Sequence, residues 1–130
     1  MGRTILVVED FESIRKFVRS TLEQKGYQTF GAADGNEAYT ILTERPDEVD
    51  LVLTDYHMPD GTGYDLLKKM KENTALHKVP VIFLTTEQNP QKIALAEEAG
   101  LFAWLKKPYR TEILFSKIES AFNSTEKHDN

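Results

Sequence analysis

Short apolar runs alternate along this chain with longer stretches in which apolar residues recur at helical spacing. The runs are rich in Val, Ile and Leu and cover residues 5–8, 49–54, 79–84 and 101–105. Runs of this length and composition are typical of strands that are buried on both faces of a sheet. Residues 27–33 alternate only loosely and contain Gly31, which predicts a weaker strand at an edge of the sheet.

Five stretches of helical periodicity separate or follow these strands. The first begins at Ser13 and ends before Gly26, where a helix C-cap is expected. Asp34 begins the cap of the second helix, and Asn89 and Pro90 provide the N-cap and the first position of the fourth. The residues that recur at helical spacing in the first helix are Ile14, Phe17, Val18, Thr21 and Leu22.

The order of these elements, a strand followed by a helix five times over, predicts an α/β domain with three layers. Strands too apolar to face water imply a parallel sheet that is covered by helices on both faces, with right-handed crossovers. A length of 130 residues suits a single domain with one core. We place this domain at residues 1–124 and a polar tail at residues 125–130.

Composition argues against several classes of function. The sequence has 16 Lys and Arg residues against 21 Asp and Glu residues, and the resulting net charge of −5 argues against direct binding of nucleic acid. The sequence has no cysteine, which excludes disulfides, thiolate catalysis and Cys-ligated zinc. The first apolar run is too short for a signal peptide or a membrane span, so we expect a cytoplasmic protein without a membrane partner.

Polar side chains follow four of the predicted strands at the point where each strand ends. They are Glu9 and Asp10 after the first strand, Asp55 after the third, Thr85 after the fourth and Lys107 after the fifth. The carboxyl ends of parallel strands share one edge of the sheet, where ligands bind in folds of this class. We therefore expect these five side chains to lie close together.

Clustered carboxylates raise one another's pKa unless a cation lies among them. Mg²⁺ fits this cluster better than Ca²⁺, because it takes few protein carboxylates, several waters and a substrate phosphate. If one of the acids is a nucleophile, Lys107 and Thr85 can bind the oxygens of an incoming phosphoryl group. The set predicts a magnesium-dependent phosphoryl-acceptor site.

The pattern resembles the receiver domain of two-component response regulators over nearly the whole chain. The residues that carry the resemblance are Glu9-Asp10, the segment DYHMPDG at residues 55–61, Thr85-Thr86 and Lys107-Pro108. Each piece is weak alone, but the combination is specific. The resemblance implies a flavodoxin-like fold, a five-stranded parallel sheet of order 2-1-3-4-5 with five helices, as in the single-domain chemotaxis regulators.

The resemblance also implies roles for the acidic residues. Asp55 is expected to accept a phosphoryl group from a sensor histidine kinase or a phosphotransfer protein. Asp10 and Asp55 would bind Mg²⁺ directly, and Glu9 would bind it through water. The backbone carbonyl of His57 would complete the protein ligands.

Thr85 and Lys107 would bind the phosphoryl oxygens, and Thr85 and Trp104 would form the switch. Trp104 occupies a position at which the family usually has Tyr, Phe or His. Phosphorylation is expected to change the face formed by the fourth helix, the fifth strand and the fifth helix, which then binds a downstream target protein. We expect a monomer, or a weak dimer on phosphorylation, that catalyses only its own phosphorylation and dephosphorylation and is not otherwise an enzyme.

The sequence leaves three alternatives open. A metal-dependent phosphohydrolase would also use Asp55 as its nucleophile, but such enzymes usually carry an acid where this chain has His57, and a cap insertion for substrate. A receiver that is part of a longer regulator with an output domain would have the same site. A receiver-like module that binds partners without phosphorylation is disfavoured by the complete set of acids, threonine and lysine.

Overall fold

The computed structural model describes residues 2–128, and the side chains of residues 2–124. The strands are β1 Thr4–Val8, β2 Gln28–Ala32, β3 Leu51–Thr54, β4 His57–Met58, β5 Gly61–Thr62, β6 Val81–Thr85 and β7 Ala103–Lys106. The helices are α1 Glu12–Gln24, α2 Gly35–Glu44, α3 Gly63–Glu72, α4 Pro90–Glu98 and α5 Thr111–His128.

Five strands form one parallel sheet in the order β2-β1-β3-β6-β7. This is the predicted order 2-1-3-4-5, with β6 and β7 as the fourth and fifth strands, and the predicted flavodoxin-like fold with five helices is confirmed. The register pairs Val8 with Thr54 and Thr54 with Phe83. The carboxyl ends of β1, β3 and β6 are therefore close to level at one edge of the sheet.

The sheet separates two apolar clusters. Successive side chains of a strand point to opposite faces, so Ile5 and Val7 of β1 pack with α1 and α5, while Leu6 and Val8 pack with α2, α3 and α4. All four are buried, and burial of each stabilises the fold by about 1.5–3 kcal/mol. Two-sided burial explains why the strands are continuous apolar runs.

The helix starts follow the predicted caps. Asp34 accepts a hydrogen bond from a backbone N–H in the first turn of α2, and Asn89 accepts two from the first turn of α4, with Pro90 at its first position. At α3 the side chains of Thr62 and Asp65 each accept a hydrogen bond from the other's backbone N–H, an arrangement that was not predicted.

The sequence pattern did not predict the hairpin in the turn after Asp55 or the exposure of two apolar residues of α1. The Pro/Gly turn contains a short antiparallel hairpin, in which β4 pairs with β5. In α1, Val18 and Leu22 are buried, but Ile14 and Phe17 are 39% and 67% exposed. Helical spacing shows which residues share a face, and it does not show how much of that face the sheet covers.

Helix α5 extends through residues 125–128, where the sequence predicted a polar tail. Residues 123–128 contain neither Gly nor Pro, so nothing in this segment breaks the helix. Residues 129 and 130 lie outside the described residues. Within the described part of the chain, no helix is long and apolar enough to span a membrane.

Candidate functional site

Asp55 is half-buried at the carboxyl end of β3. Its backbone N–H donates to the carbonyl of Val8 at 3.3 Å, and its own carbonyl accepts from the hydroxyl of Thr54 at 3.0 Å. Its carboxylate oxygen Oδ1 accepts from the backbone N–H of His57 at 3.1 Å. The chain thus folds back on the carboxylate immediately after the strand and leaves the second oxygen for other partners.

That second oxygen is bound by Lys107. Its Nζ lies 3.2 Å from Oδ2 of Asp55 and 3.2 Å from Oε1 of Glu9, and its backbone N–H donates to the carbonyl of Thr85 at 2.9 Å. Burial lowers the pKa of Lys107, but the two carboxylates more than offset this, so the net shift of its pKa is upward. Lys107 is therefore a cation that joins two strand ends. The Lys107–Pro108 peptide bond is cis.

Glu9 is a buried acid, only 5% exposed. Burial raises its pKa, and a hydrogen bond with the carboxyl group of Asp10 raises it further, whereas the backbone N–H of Phe11 and the ammonium of Lys107 lower it; the net shift is upward. Asp10 itself is exposed. Two carboxyl groups in contact favour either a shared proton or a bound cation.

The donor set fits Mg²⁺ by chemistry and does not form a closed cage. Among the described side chains, no three Asp, Glu or His groups are arranged to hold one metal ion. Glu9 and Asp10 lie together, and Asp55 is linked to Glu9 through Lys107. Mg²⁺ binds through one or two carboxylates and keeps several waters, so an open set of oxygen donors suits it, and the predicted ligands stay a prediction.

Thr85 and Trp104 are connected through the loop that follows β6. Thr85 is fully buried, and its hydroxyl accepts from the backbone N–H of Glu87 at 3.2 Å. The carbonyl of Glu87 accepts from the indole N–H of Trp104 at 2.9 Å. The half-buried indole packs against Tyr56 and Phe83, with ring centroids 5.5 and 5.4 Å away. A continuous set of contacts therefore joins the strand end to β7.

The carboxylate of Glu87 forms a polar cluster with two side chains. Its Oε1 lies 3.1 Å from Nζ of Lys92 and 2.9 Å from Nε2 of His57. The hydrogen bond from Lys92, followed by that from the backbone N–H of Asn89 and then that with His57, lowers the pKa of Glu87 to about 2. Glu87 is thus ionised at neutral pH and ties the loop after β6 to the turn after Asp55.

Gly63 is a residue of the site that sequence reasoning missed. A Cβ at this position would lie 2.7 Å from the carbonyl oxygen of Asp55 and 3.1 Å from the ring of Phe83. Its backbone N–H donates to the carbonyl of Tyr56 at 2.6 Å. Glycine therefore allows α3 to begin directly against the loop that follows Asp55. The available signal was a glycine at the first helical position after a turn.

An apolar groove of about 370 Å³ opens beside these groups. Asp55, Glu9 and Lys107 contribute to its lining, as do the α1 side chains Ile14 and Phe17. Ile14 and Phe17, the two large apolar side chains of α1 that are exposed, thus line a groove that reaches the carboxylate of Asp55.

Comparison with known proteins identifies the family of this chain. The protein-family model described as the response regulator receiver domain matches residues 5–119. The chain belongs to the response regulator receiver family. The predicted family is confirmed, and the chain is a CheY-like receiver domain.

Two chemotaxis proteins and one receiver domain of known structure match this chain over nearly their whole length. The chemotaxis protein CheY of Pseudomonas aeruginosa is 34% identical over 119 residues, which cover 91% of this chain and 94% of that protein. CheY1 of Helicobacter pylori is 32% identical over 116 residues, 88% of this chain and 93% of that protein. A receiver domain protein from Clostridium thermocellum superposes with a TM-score of 0.89 at 31% identity, covering 95% of this chain and 97% of that one.

Family membership supports a general description of the chain. Receiver domains are signalling phosphoacceptors rather than classical enzymes, they typically depend on Mg²⁺, and a response regulator implies a histidine kinase as partner. The roles of individual residues in this chain are a separate question.

Proposed function

We propose that this receiver accepts a phosphoryl group on Asp55. The observation that carries the proposal is the position of Lys107, whose ammonium lies 3.2 Å from both Asp55 and Glu9 at the end of the sheet. A cation shared by two carboxylates can move to a new anion without leaving the site. The half-buried carboxylate of Asp55, held on one oxygen by a backbone N–H, is a fixed nucleophile.

In the proposed reaction a carboxylate oxygen of Asp55 attacks phosphorus, and the bond between phosphorus and the donor's histidine nitrogen breaks, its electron pair staying on that nitrogen. Mg²⁺ would be held by Asp10, by Asp55 and by the carbonyl of His57, and through water by Glu9. When bound there, it would offset part of the negative charge of the phosphoryl group. Lys107 then transfers from the Asp55 carboxylate to a phosphoryl oxygen, because the dianionic group attracts it more strongly.

Thr85 provides the link to the rest of the molecule. Its hydroxyl oxygen accepts from the Glu87 N–H, so its hydroxyl proton is available to a phosphoryl oxygen. Movement of Thr85 toward that oxygen would pull on the Glu87 backbone, whose carbonyl holds the indole of Trp104. The face formed by α4, β7 and α5 would change in consequence, and a downstream target protein would bind it.

The groove beside Asp55 supports a protein as phosphodonor. Phe11, the residue before α1, and Ile14 and Phe17 within α1 are exposed, and the last two line the groove that reaches the carboxylate of Asp55. Exposed apolar side chains of this kind mark protein interaction sites. A sensor histidine kinase or a phosphotransfer protein fits this surface. The cytoplasmic location, the monomeric state and the boundary of the domain stay predictions.

Intact-mass measurement with acetyl phosphate and Mg²⁺ tests the acceptor. The wild type should gain one phosphoryl group that hydroxylamine removes, as expected for an acyl phosphate, and Asp55→Asn should gain none. Asp60→Asn is a control from the same turn, because it makes the same Asp-to-Asn change and leaves Asp55 intact, although asparagine can accept from only one of the two N–H groups at the start of α2 that Asp60 binds. It should be labelled like the wild type. Equal labelling of Asp55→Asn would exclude Asp55 as acceptor.

A further inference from the structure

The two peptide groups on either side of Glu9 are each held by a hydrogen bond. The Glu9 N–H donates to the carbonyl of Ala32 at the end of β2, at 2.9 Å. The Glu9 carbonyl accepts from Nη1 of Arg15 at 2.7 Å, since this guanidinium reaches back from the second turn of α1. A charged donor at this distance makes a strong hydrogen bond. The backbone of the acidic loop is therefore fixed by a side chain that does not belong to the acidic cluster.

The surface of β2 provides the path for this side chain. A Cβ on Gly31 would lie 3.3 Å from Cδ of Arg15 and 2.9 Å from Nη1 of Arg19, so glycine leaves room for both arginines over the strand. Arg19, one turn further along α1, donates to the hydroxyl and the carbonyl of Thr29 at 2.9 and 3.2 Å. Both arginines are half-buried. Arg15 holds the acidic loop, whereas Arg19 holds the strand.

We infer that Arg15 is a positioning residue for the metal site at Glu9 and Asp10. The inference rests on the proposed function, in which these acids bind Mg²⁺. Asp10 is exposed, and the direction of its side chain depends on the orientation of the peptide whose carbonyl Arg15 binds. Without Arg15 this peptide is free to move and becomes ordered only when Mg²⁺ binds. The loss of conformational entropy on ordering then weakens Mg²⁺ binding.

Removal of the Arg15 side chain has two opposite effects on Mg²⁺ affinity, one from the loss of its charge and one from the loss of its hydrogen bond. The guanidinium is a cation beside the acids and repels Mg²⁺, so loss of its charge alone would tighten metal binding. Loss of its hydrogen bond frees the peptide and weakens metal binding. Groups that orient metal ligands typically contribute between 10- and 100-fold to affinity, and we expect Arg15→Gln to weaken Mg²⁺ binding by about tenfold, the lower end of that range.

Calorimetric titration of metal-free protein with MgCl₂ tests the inference on four proteins: the wild type, Arg15→Gln, Arg15→Lys and Arg19→Gln. Arg19→Gln also removes one positive charge from the face of α1 that lies on β2. The Mg²⁺ affinity of this variant should equal or exceed that of the wild type. Arg15→Lys keeps one charged donor and should recover part of the affinity. Tighter or unchanged binding by Arg15→Gln would overturn the inference.

A second measurement needs no metal. The Phe11 N–H donates to Oε2 of Glu9 at 3.2 Å, so its hydrogen exchange reports order in the loop. In metal-free protein this amide should exchange faster in Arg15→Gln than in Arg19→Gln, and equal rates would contradict the inference. If the wild type binds no Mg²⁺, the proposed metal site and the inference fail together. If the wild type binds Mg²⁺ and Arg15→Gln binds it equally well, the inference alone fails.

Discussion

The close approach of α3 to the loop that follows Asp55 makes Gly63→Ala a sharp test of how the site is built. The added Cβ would lie 2.7 Å from the Asp55 carbonyl oxygen and 3.1 and 3.2 Å from two atoms of the Phe83 ring. Neither neighbour yields easily, because one is backbone and the other is a ring that is 0% exposed. Overpacking of this kind costs about 1–3 kcal/mol of unfolding free energy.

Gly35→Ala is the matched control. Gly35 and Gly63 are the first residues of α2 and α3, and neither has a positive φ. Any gain in helix propensity from alanine, up to about 1 kcal/mol, is therefore similar at both positions. The nearest neighbour of a Cβ on Gly35 is the terminal methyl group of Met58, at 3.3 Å, which can move aside.

Urea unfolding followed by far-UV circular dichroism measures the difference between the two variants. We expect Gly63→Ala to be less stable than Gly35→Ala by about 1–3 kcal/mol. Its phosphorylation by acetyl phosphate should also be slower, by about tenfold, because displacement of the Asp55 backbone misplaces the nucleophile. Equal stability of the two variants would refute the reasoning, since it would mean that the loop and the Phe83 ring accommodate a methyl group at no cost.

Two further predictions concern the loop after β6. The pKa of Glu87 is lowered from 4.5 to about 2, so its ionised form stabilises the fold above pH 4.5 and this stabilisation is lost as the pH falls toward 2. Urea unfolding across that window should show a smaller loss of stability for Glu87→Gln than for the wild type, and parallel curves would contradict the ion cluster. Trp104→Phe removes the N–H donor to the Glu87 carbonyl but keeps an aromatic ring against Tyr56, so unfolding free energy should fall by about 1 kcal/mol while acetyl phosphate labelling persists. Unchanged stability would argue against that hydrogen bond.

The elements and the acidic edge of the sheet could be predicted from sequence because their signals are local. Buried parallel strands are continuous apolar runs, and caps such as Asp34 and Asn89 have short-range partners. Once five strands are parallel, the residues that follow them must meet at one edge. Glu9, Asp55 and Lys107 are accordingly in contact, although 98 positions separate the first from the last.

The contacts that shape the site depended on the tertiary structure. Helical periodicity grouped Ile14 and Phe17 with the core residues of α1, but the packing of α1 on the sheet leaves both exposed. The contact of Arg15 with the Glu9 carbonyl could not be predicted from the sequence either, because a hydrogen bond from a side chain to a backbone oxygen leaves no periodic pattern.

The sequence by itself determined the order of strands and helices along the chain, because hydrophobic spacing depends on neighbouring residues. The alternation of strand and helix makes the strands parallel, and this determined the edge at which the site lies and the residue types gathered there. Only the tertiary structure decided that Lys107 bridges two acids, that Gly63 lies against the Asp55 carbonyl and that Trp104 is bound to the Glu87 backbone. These contacts join segments far apart in the chain, and their distances depend on how helices and loops pack on the sheet.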